Sequence, residues 1–243
     1  ALHLVNADTG FEQMAFIPRE ILDKQPRALK PGTTGSLLAT SQVAPTPTAF
    51  GVDAPWAAYA EYTTSSGKIK ANLMYAYGGL RLGGNSFYGL NLTDRNTPKM
   101  EFSINPAVTG FARLGQAWGK PVVTRVRYND QIRAVVIVSG GYDADYEKLD
   151  KDRSATTDVK GNAIYMLDAK TGELLLSVGK TATEVPSVGG SSTLLNANIK
   201  YSVVSRVKTL DRDADGLTDH LYFADLGGQL SRVDLQNAPK TTK

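Results

Sequence analysis

Ile164-Tyr-Met-Leu-Asp-Ala-Lys-Thr-Gly172 is the stretch that decides the fold. Four apolar residues run up to an Asp, a polar turn ends in Gly, and a second apolar run, Leu174-Leu-Leu-Ser-Val178, follows at once. Short runs of Val, Ile, Leu and Tyr bounded by Asp, Asn, Gly or Pro read as strands, and the Thr-Gly turn joins two of them. Leu2-His-Leu-Val-Asn-Ala-Asp-Thr-Gly10 repeats the pattern, and Phe87-Tyr-Gly-Leu-Asn91 with Thr93-Asp94 reads as a third copy. Leu230-Ser-Arg-Val-Asp234 reads as a fourth. Anchored on Asn6, Asn91, Asp168 and Asp234, the copies are 85, 77 and 66 residues apart (91 − 6, 168 − 91, 234 − 168). A propeller blade spans about 40–50 residues, so the spacing predicts blades with long loop insertions.

Working outward, each copy extends into a unit of up to four strands. The third unit reads as residues 121–127, 132–139, 163–168 and 173–178, and the second as 56–62, 72–77, 86–92 and 99–104. The first keeps two strands, 2–7 and 11–17, and the fourth keeps three, 201–209, 220–224 and 229–235. The expectation is an all-β chain whose residues 1–243 form a single β-propeller domain, or part of one, built of four-stranded antiparallel blades and cut mid-blade. The competing fold is a β-sandwich with coincidental turn similarity. Helical turns are expected near residues 18–24 and 105–114, each opened by a Pro or Asn. Ala1-Leu-His-Leu-Val5 reads as a strand already under way, with no signal peptide, so the chain is expected to derive from a longer protein.

Composition narrows the class. With 243 residues, 42% hydrophobic and 21% charged, the chain can bury a sizeable core, and disorder is excluded for most of it. Lys and Arg number 27 against 24 acidic residues, and the signs alternate along Glu147, Lys148, Asp150, Lys151, Asp152 and Arg153. That balance argues against a nucleic-acid partner. The absence of cysteine removes disulfides, zinc-thiolate sites, iron–sulfur clusters and thiol catalysis. The longest aliphatic run, residues 134–138, is far below the roughly 20 residues of a membrane-spanning helix.

The strongest chemical signal is Asp211-Arg-Asp-Ala-Asp-Gly-Leu-Thr-Asp219. Carboxylates at loop positions 1, 3 and 5 with Gly216 at position 6 match the start of an EF-hand loop. The glycine permits the turn that brings the carbonyl of Leu217 to position 7, and Asp219 at position 9 completes the shell. Position 12 is Tyr222 rather than Glu, and the flanks read as strands, so the reading is an EF-hand-like loop within a β-hairpin. Four carboxylates in nine residues repel one another without a cation, and hard oxygen donors with no His or Cys favour Ca²⁺. The alternative is a solvated acidic turn. A second acidic stretch, Asp143, Asp145, Glu147, Asp150, Asp152 and Asp158, lacks this spacing and reads as a self-paired exposed insertion.

Catalysis has little support. The two histidines, His3 and His220, sit inside strand patterns, and no zinc-protease, nucleophile-elbow or P-loop motif occurs. The glycines of residues 78–84 have the wrong spacing for a dinucleotide site and read as a turn between strands. Trp56 and Trp118 each precede a strand at equivalent points of two units, which suggests core or inter-unit packing.

Taken together, these segments resemble the C-terminal propeller of the PilC/PilY family, tip-located adhesins and biogenesis factors of bacterial type IV pili. The resemblance lies in Gly115-Gln-Ala-Trp-Gly-Lys-Pro-Val-Val123, Ser139-Gly-Gly-Tyr-Asp143, residues 161–172, residues 211–235 and Arg81-Leu-Gly-Gly-Asn-Ser-Phe-Tyr-Gly-Leu-Asn91. It implies that Asp211, Asp213, Asp215 and Asp219, with the carbonyl of Leu217, bind Ca²⁺. It further implies export through the periplasm to a pilus tip or cell surface, with type IV pilin or minor pilins and a host or abiotic surface as partners. The expected roles are pilus assembly, control of extension against retraction, twitching motility and adhesion. One departure is Ser231, where the family usually has an aromatic, and no Arg-Gly-Asp triplet supports an integrin contact. Two other readings compete: a quinone-cofactor dehydrogenase, whose propellers also carry Thr-Gly turns and bind calcium, and a purely structural propeller. Contiguous ligands and two tryptophans argue against the enzyme.

Overall fold

The protein is described here by a computed structural model covering residues 1–24, 50–147 and 159–236. Strands dominate it. A two-stranded sheet pairs β1 (Leu2–Val5) with β2 (Glu12–Phe16), and a six-residue helix, α1 (Arg19–Lys24), follows. A four-stranded meander comprises β3 (Ala57–Ser65), β4 (Lys68–Gly79), β5 (Phe87–Asn91) and β6 (Lys99–Ile104). A five-stranded sheet holds β7 (Val122–Tyr128), β8 (Gln131–Ser139), β9 (Ala163–Asp168), β10 (Leu174–Gly179) and β11 (Ser192–Leu195). The last sheet has β12 (Lys208–Leu210), β13 (His220–Ala224) and β14 (Leu230–Asp234). All pairs are antiparallel except β10 with β11, which run parallel. The expected strand units are therefore present, and the sheets formed by the described residues do not close on themselves.

The two-residue period of a strand explains how the sheets stack. On β9, Ala163, Tyr165 and Leu167 join Tyr75, Tyr77, Phe87 and Ile104 of the four-stranded sheet in one core. Ile164 and Met166 point the other way, into a second core with Leu221, Phe223 and Val233 of the three-stranded sheet. Burial on both faces makes β8 and β9 read as continuous apolar runs rather than alternating ones. Leu2, Leu4 and Met14 of the two-stranded sheet pack in the same way on Ala76, Leu90 and Leu92. Trp56 lies at that junction, its ring centroid 6.2 Å from Phe16, as inter-sheet packing requires. The sheets thus stack in chain order, and β7 approaches both β3 and β12.

The repeat is visible in hydrogen bonds. Oδ1 of Asn6 accepts the amides of Asp8 and Thr9, and Oδ1 of Asp168 accepts those of Lys170 and Thr171. Gly10 and Gly172 then donate to the carbonyls of Asn6 and Asp168, both at 2.9 Å. The fourth anchor is corrected by the structure. It is Asp225, 57 residues after Asp168 (225 − 168), whose Oδ1 accepts the amides of Gly227 and Gln229 between β13 and β14. Asp234 ends β14 and instead holds Nδ1 of His220 at 2.7 Å.

Two element expectations also change. Residues 201–207 are not a strand: the amide of Val203 donates to the carbonyl of Gly161, and its carbonyl accepts from Gly141, so the hydrogen bonds of this segment go to glycine loops. Residues 105–114 form three successive four-residue turns, with Gly110 at a φ of +93° interrupting any helix. Asp143, read as exposed, is buried and accepts the amides of Asp145 and Lys160. Asp150, Asp152 and Asp158 lie outside the described residues.

Candidate metal centre

The sequence 211–219 forms the connection between β12 and β13, an antiparallel pair, so the loop sits in a β-hairpin as expected. Its course is set by local polar bonds. Gly216 donates its amide to Oδ2 of Asp211 at 2.9 Å, and Leu217 donates to Oδ1 of Asp215 at 2.7 Å. Ala214 and Gly216 take positive φ values of 62° and 87°. At Gly216 the missing Cβ makes this inexpensive; at Ala214 it carries strain of order 1 kcal/mol or more. The amide of Asp219 donates to the carbonyl of Leu210 at 2.9 Å, which closes the hairpin beneath the loop.

Asp211, Asp213 and Asp215 each direct one carboxylate oxygen to within 4.8 Å of the others. Two oxygens on one calcium ion at about 2.4 Å from it can be at most about 4.8 Å apart, so the three match a common ion. Oδ1 of Asp211 is buried and has no hydrogen-bond partner. A buried carboxylate oxygen without a donor is costly, and a cation is the partner that an all-oxygen donor set fits. Asp219 is not part of the three-carboxylate group; its Oδ2 accepts the amide of Arg212 at 2.7 Å. The spacing gave Asp219 EF-hand position 9, where contact often runs through water, and the structure does not bring its carboxylate into the group. Leu217 is buried.

The loop is also fixed from a side that sequence spacing could not indicate. The amide of Thr218 donates to the carbonyl of Arg125 on β7 at 2.8 Å. The hydroxyls of Thr218 and Thr124 lie 2.6 Å apart. Threonines 94 residues apart in sequence carry no local signal of this pairing.

Elsewhere, Arg113 is buried and donates to Oδ1 of Asn162 at 2.9 Å and to the carbonyl of Val159. Its guanidinium also lies 3.5 Å from Glu184. These groups brace loops rather than open to a cavity. Trp118 packs against Tyr142, their rings tilted by 49°, with the Arg81 guanidinium 4.8 Å from the Trp118 ring, which is again a packing role. No helix among the described residues is long and apolar enough to cross a membrane.

No family model matches the chain. Among curated proteins, it is 25% identical over 239 residues to the type IV pilus biogenesis factor PilY1 of Pseudomonas aeruginosa strain UCBPP-PA14, covering 96% of this chain and 16% of that protein. The PilY1 of strain PAK is 27% identical over 158 residues, covering 65% of this chain and 11% of that protein. The chain therefore spans about a sixth or less of the length of the relatives it matches. Among solved structures, the crystal structure of the Pseudomonas aeruginosa PilY1 C-terminal domain superposes with a TM-score of 0.56 at 21% identity, covering 96% of this chain and 36% of that one. Over nearly its whole length the chain is thus similar in sequence to PilY1, and it shares the fold of the PilY1 C-terminal domain.

Proposed function

We propose that this chain is the calcium-binding part of a type IV pilus-associated protein. In this reading Asp211, Asp213, Asp215 and Asp219 and the carbonyl of Leu217 hold Ca²⁺, and the protein is exported to the pilus tip or cell surface. There it supports pilus assembly, the balance of extension and retraction, twitching motility and adhesion, with pilins and a host or abiotic surface as partners. The single observation that carries the reading is that Asp211, Asp213 and Asp215 bring one carboxylate oxygen each to within 4.8 Å of one another, in a loop where Oδ1 of Asp211 has no hydrogen-bond partner. The relatives are named as pilus biogenesis factors, and this supports a non-enzymatic role. The finer fold reading, part of a propeller, is supported by sheets stacked in chain order with β3, β7 and β12 in sequence along one side.

The test is calcium-dependent stability. A ligand that binds the folded state alone stabilises it by about 2.7 kcal/mol at a hundredfold excess over Kd. Calcium is expected to raise the melting temperature of the chain, EGTA to reverse it, and magnesium to act more weakly. Identical melting curves in calcium and EGTA would remove the metal from the reading.

A further inference from the structure

The loop that carries the acidic cluster shares one peptide group with the neighbouring sheet. The N–H of the peptide joining Leu217 to Thr218 is donated to the carbonyl of Arg125 on β7 at 2.8 Å. In a planar trans peptide, the C=O of the same unit points the opposite way, away from β7. That carbonyl belongs to Leu217, the position-7 oxygen of an EF-hand-like loop. Were this carbonyl to ligate a cation, the peptide plane would be held and the unit polarised, which would strengthen the N–H as a donor. The Thr124–Thr218 hydroxyl pair, at 2.6 Å, keeps the two elements in register.

Arg125 carries the contact onward. Its guanidinium lies 3.9 Å from the carboxylate of Glu61 on β3. Glu61 in turn accepts a hydrogen bond from the phenol of Tyr59 at 2.7 Å. Tyr59, Glu61, Tyr62, Asn72 and Arg125 line an open groove of about 570 Å³. The groove lies at the foot of the β3–β4 hairpin, whose outer half has no third strand: β5 pairs with β4 at Tyr75–Gly79 and leaves Lys68–Leu73 with β3 alone. A two-stranded ribbon is marginal in water, so its foot is where a small change in support alters its order.

We propose that the Leu217–Thr218 peptide couples cation occupancy of the 211–219 loop, through Arg125, to the order of the groove and hairpin formed by β3 and β4. The coupling rests on the calcium reading above and adds to it a route within the molecule. It makes the groove a surface whose rigidity follows calcium, in keeping with a switch that acts through a local contact.

Hydrogen exchange of the 243-residue chain in calcium and in EGTA, with calcium binding measured in parallel by calorimetry, tests it. Calcium is expected to slow exchange about tenfold or more at Thr218 and at residues 122–126, and about two- to fivefold at residues 57–62, the scale an exposed ion pair can carry. Arg125→Ala keeps the backbone carbonyl and removes a side chain that is 56% exposed, so folding is retained. In that variant the protection at Thr218 persists and the calcium-dependent change at residues 57–62 is lost; Glu61→Gln gives the same loss. Calcium binding with no change at residues 57–62 overturns the coupling and leaves the metal site standing. A change there that survives both substitutions overturns the route through Arg125. Absence of calcium binding overturns both readings.

Discussion

Asp211 and Gly216 close the first turn of the acidic loop through one carboxylate oxygen, at 2.9 Å, while the second oxygen of the same group is buried without a partner. The loop is thus preformed on one side and unsatisfied on the other. Leaving a buried acceptor unpaired costs about 1–3 kcal/mol, more for a charged one. Asp213 and Asp215 place two further carboxylates within 4.8 Å, so the cation-free loop carries an unpaired oxygen and mutual repulsion.

Replacing Asp213 or Asp219 by Ala removes one anionic donor while leaving β12 and β13 paired. Calcium affinity is expected to fall at least about tenfold, or about 1.4 kcal/mol, in isothermal titration. The fold should persist, because the core beneath the loop is made by Leu221, Phe223 and Val233. Unchanged affinity in both variants would remove these carboxylates from the site.

In a cell, the same variants should be made and exported but show altered piliation or twitching. Surface pili are counted by microscopy and motility by the twitching zone. Normal pili and normal motility in a variant that has lost calcium would separate the metal site from pilus control.

Much of this fold was legible because strand and turn chemistry are local. The Asn6 and Asp168 turns were readable from an Asn or Asp four residues before the Gly of a Thr-Gly pair, since the side-chain oxygen caps the amides two and three residues on. The fourth copy was misread because Asp234 also follows an apolar run; the true anchor, Asp225, is followed by Leu-Gly-Gly, without the Thr-Gly ending. Residues 201–207 look like a strand by pattern, and their pairing with Gly141 and Gly161 depends on a distant crossing that spacing does not encode. Strand β11 was not anticipated either, since Ser192–Leu195 is short and pairs parallel to β10. In the loop, oxygen spacing was readable, whereas its attachment to Arg125 and Thr124 exists through tertiary packing alone.

That glycine crossing is itself testable. Gly161 has a φ of +81°, and a Cβ there would lie 2.0 Å from the carbonyl oxygen of Gly141. The obstacle is backbone, so relaxation must move two loops at once. Gly161→Ala is expected to destabilise the chain by about 3 kcal/mol or more by denaturant unfolding. A loss below 1 kcal/mol would contradict the close approach.

Alkali should unfold the protein through its tyrosines. Burial raises the phenol pKa of Tyr59, Tyr77 and Tyr165 above the ordinary value, foremost by desolvation. A group whose folded pKa is raised stabilises the fold below its unfolded pKa, and this stabilisation is lost as pH rises toward the folded value. Stability should therefore decline above about pH 10. In a titration followed at the phenolate absorbance band, some tyrosines should ionise only with the loss of near-ultraviolet circular dichroism. Smooth ionisation of every tyrosine with the fold intact would refute this.

The ion pair between buried Arg113 and half-buried Glu184 gives the sharpest stability prediction. Arg113 is 6% exposed and donates to Asn162 and to the carbonyl of Val159, while its guanidinium lies 3.5 Å from Glu184. Oε2 of Glu184 is buried without a hydrogen-bond partner, so the arginine charge is its main compensation. Removing one member of a buried pair leaves the other charged in a poor solvent, at a cost of about 3–5 kcal/mol. Replacing both members by apolar residues avoids that penalty, although Asn162 and the carbonyl of Val159 still lose a donor. Arg113→Met is therefore expected to lose about 3–5 kcal/mol in denaturant unfolding, and Arg113→Met with Glu184→Leu to recover part of it. The interaction energy from the double-mutant cycle should be at least about 1 kcal/mol. Strictly additive losses would show that Arg113 serves the loop carbonyls and that Glu184 is not held by its charge.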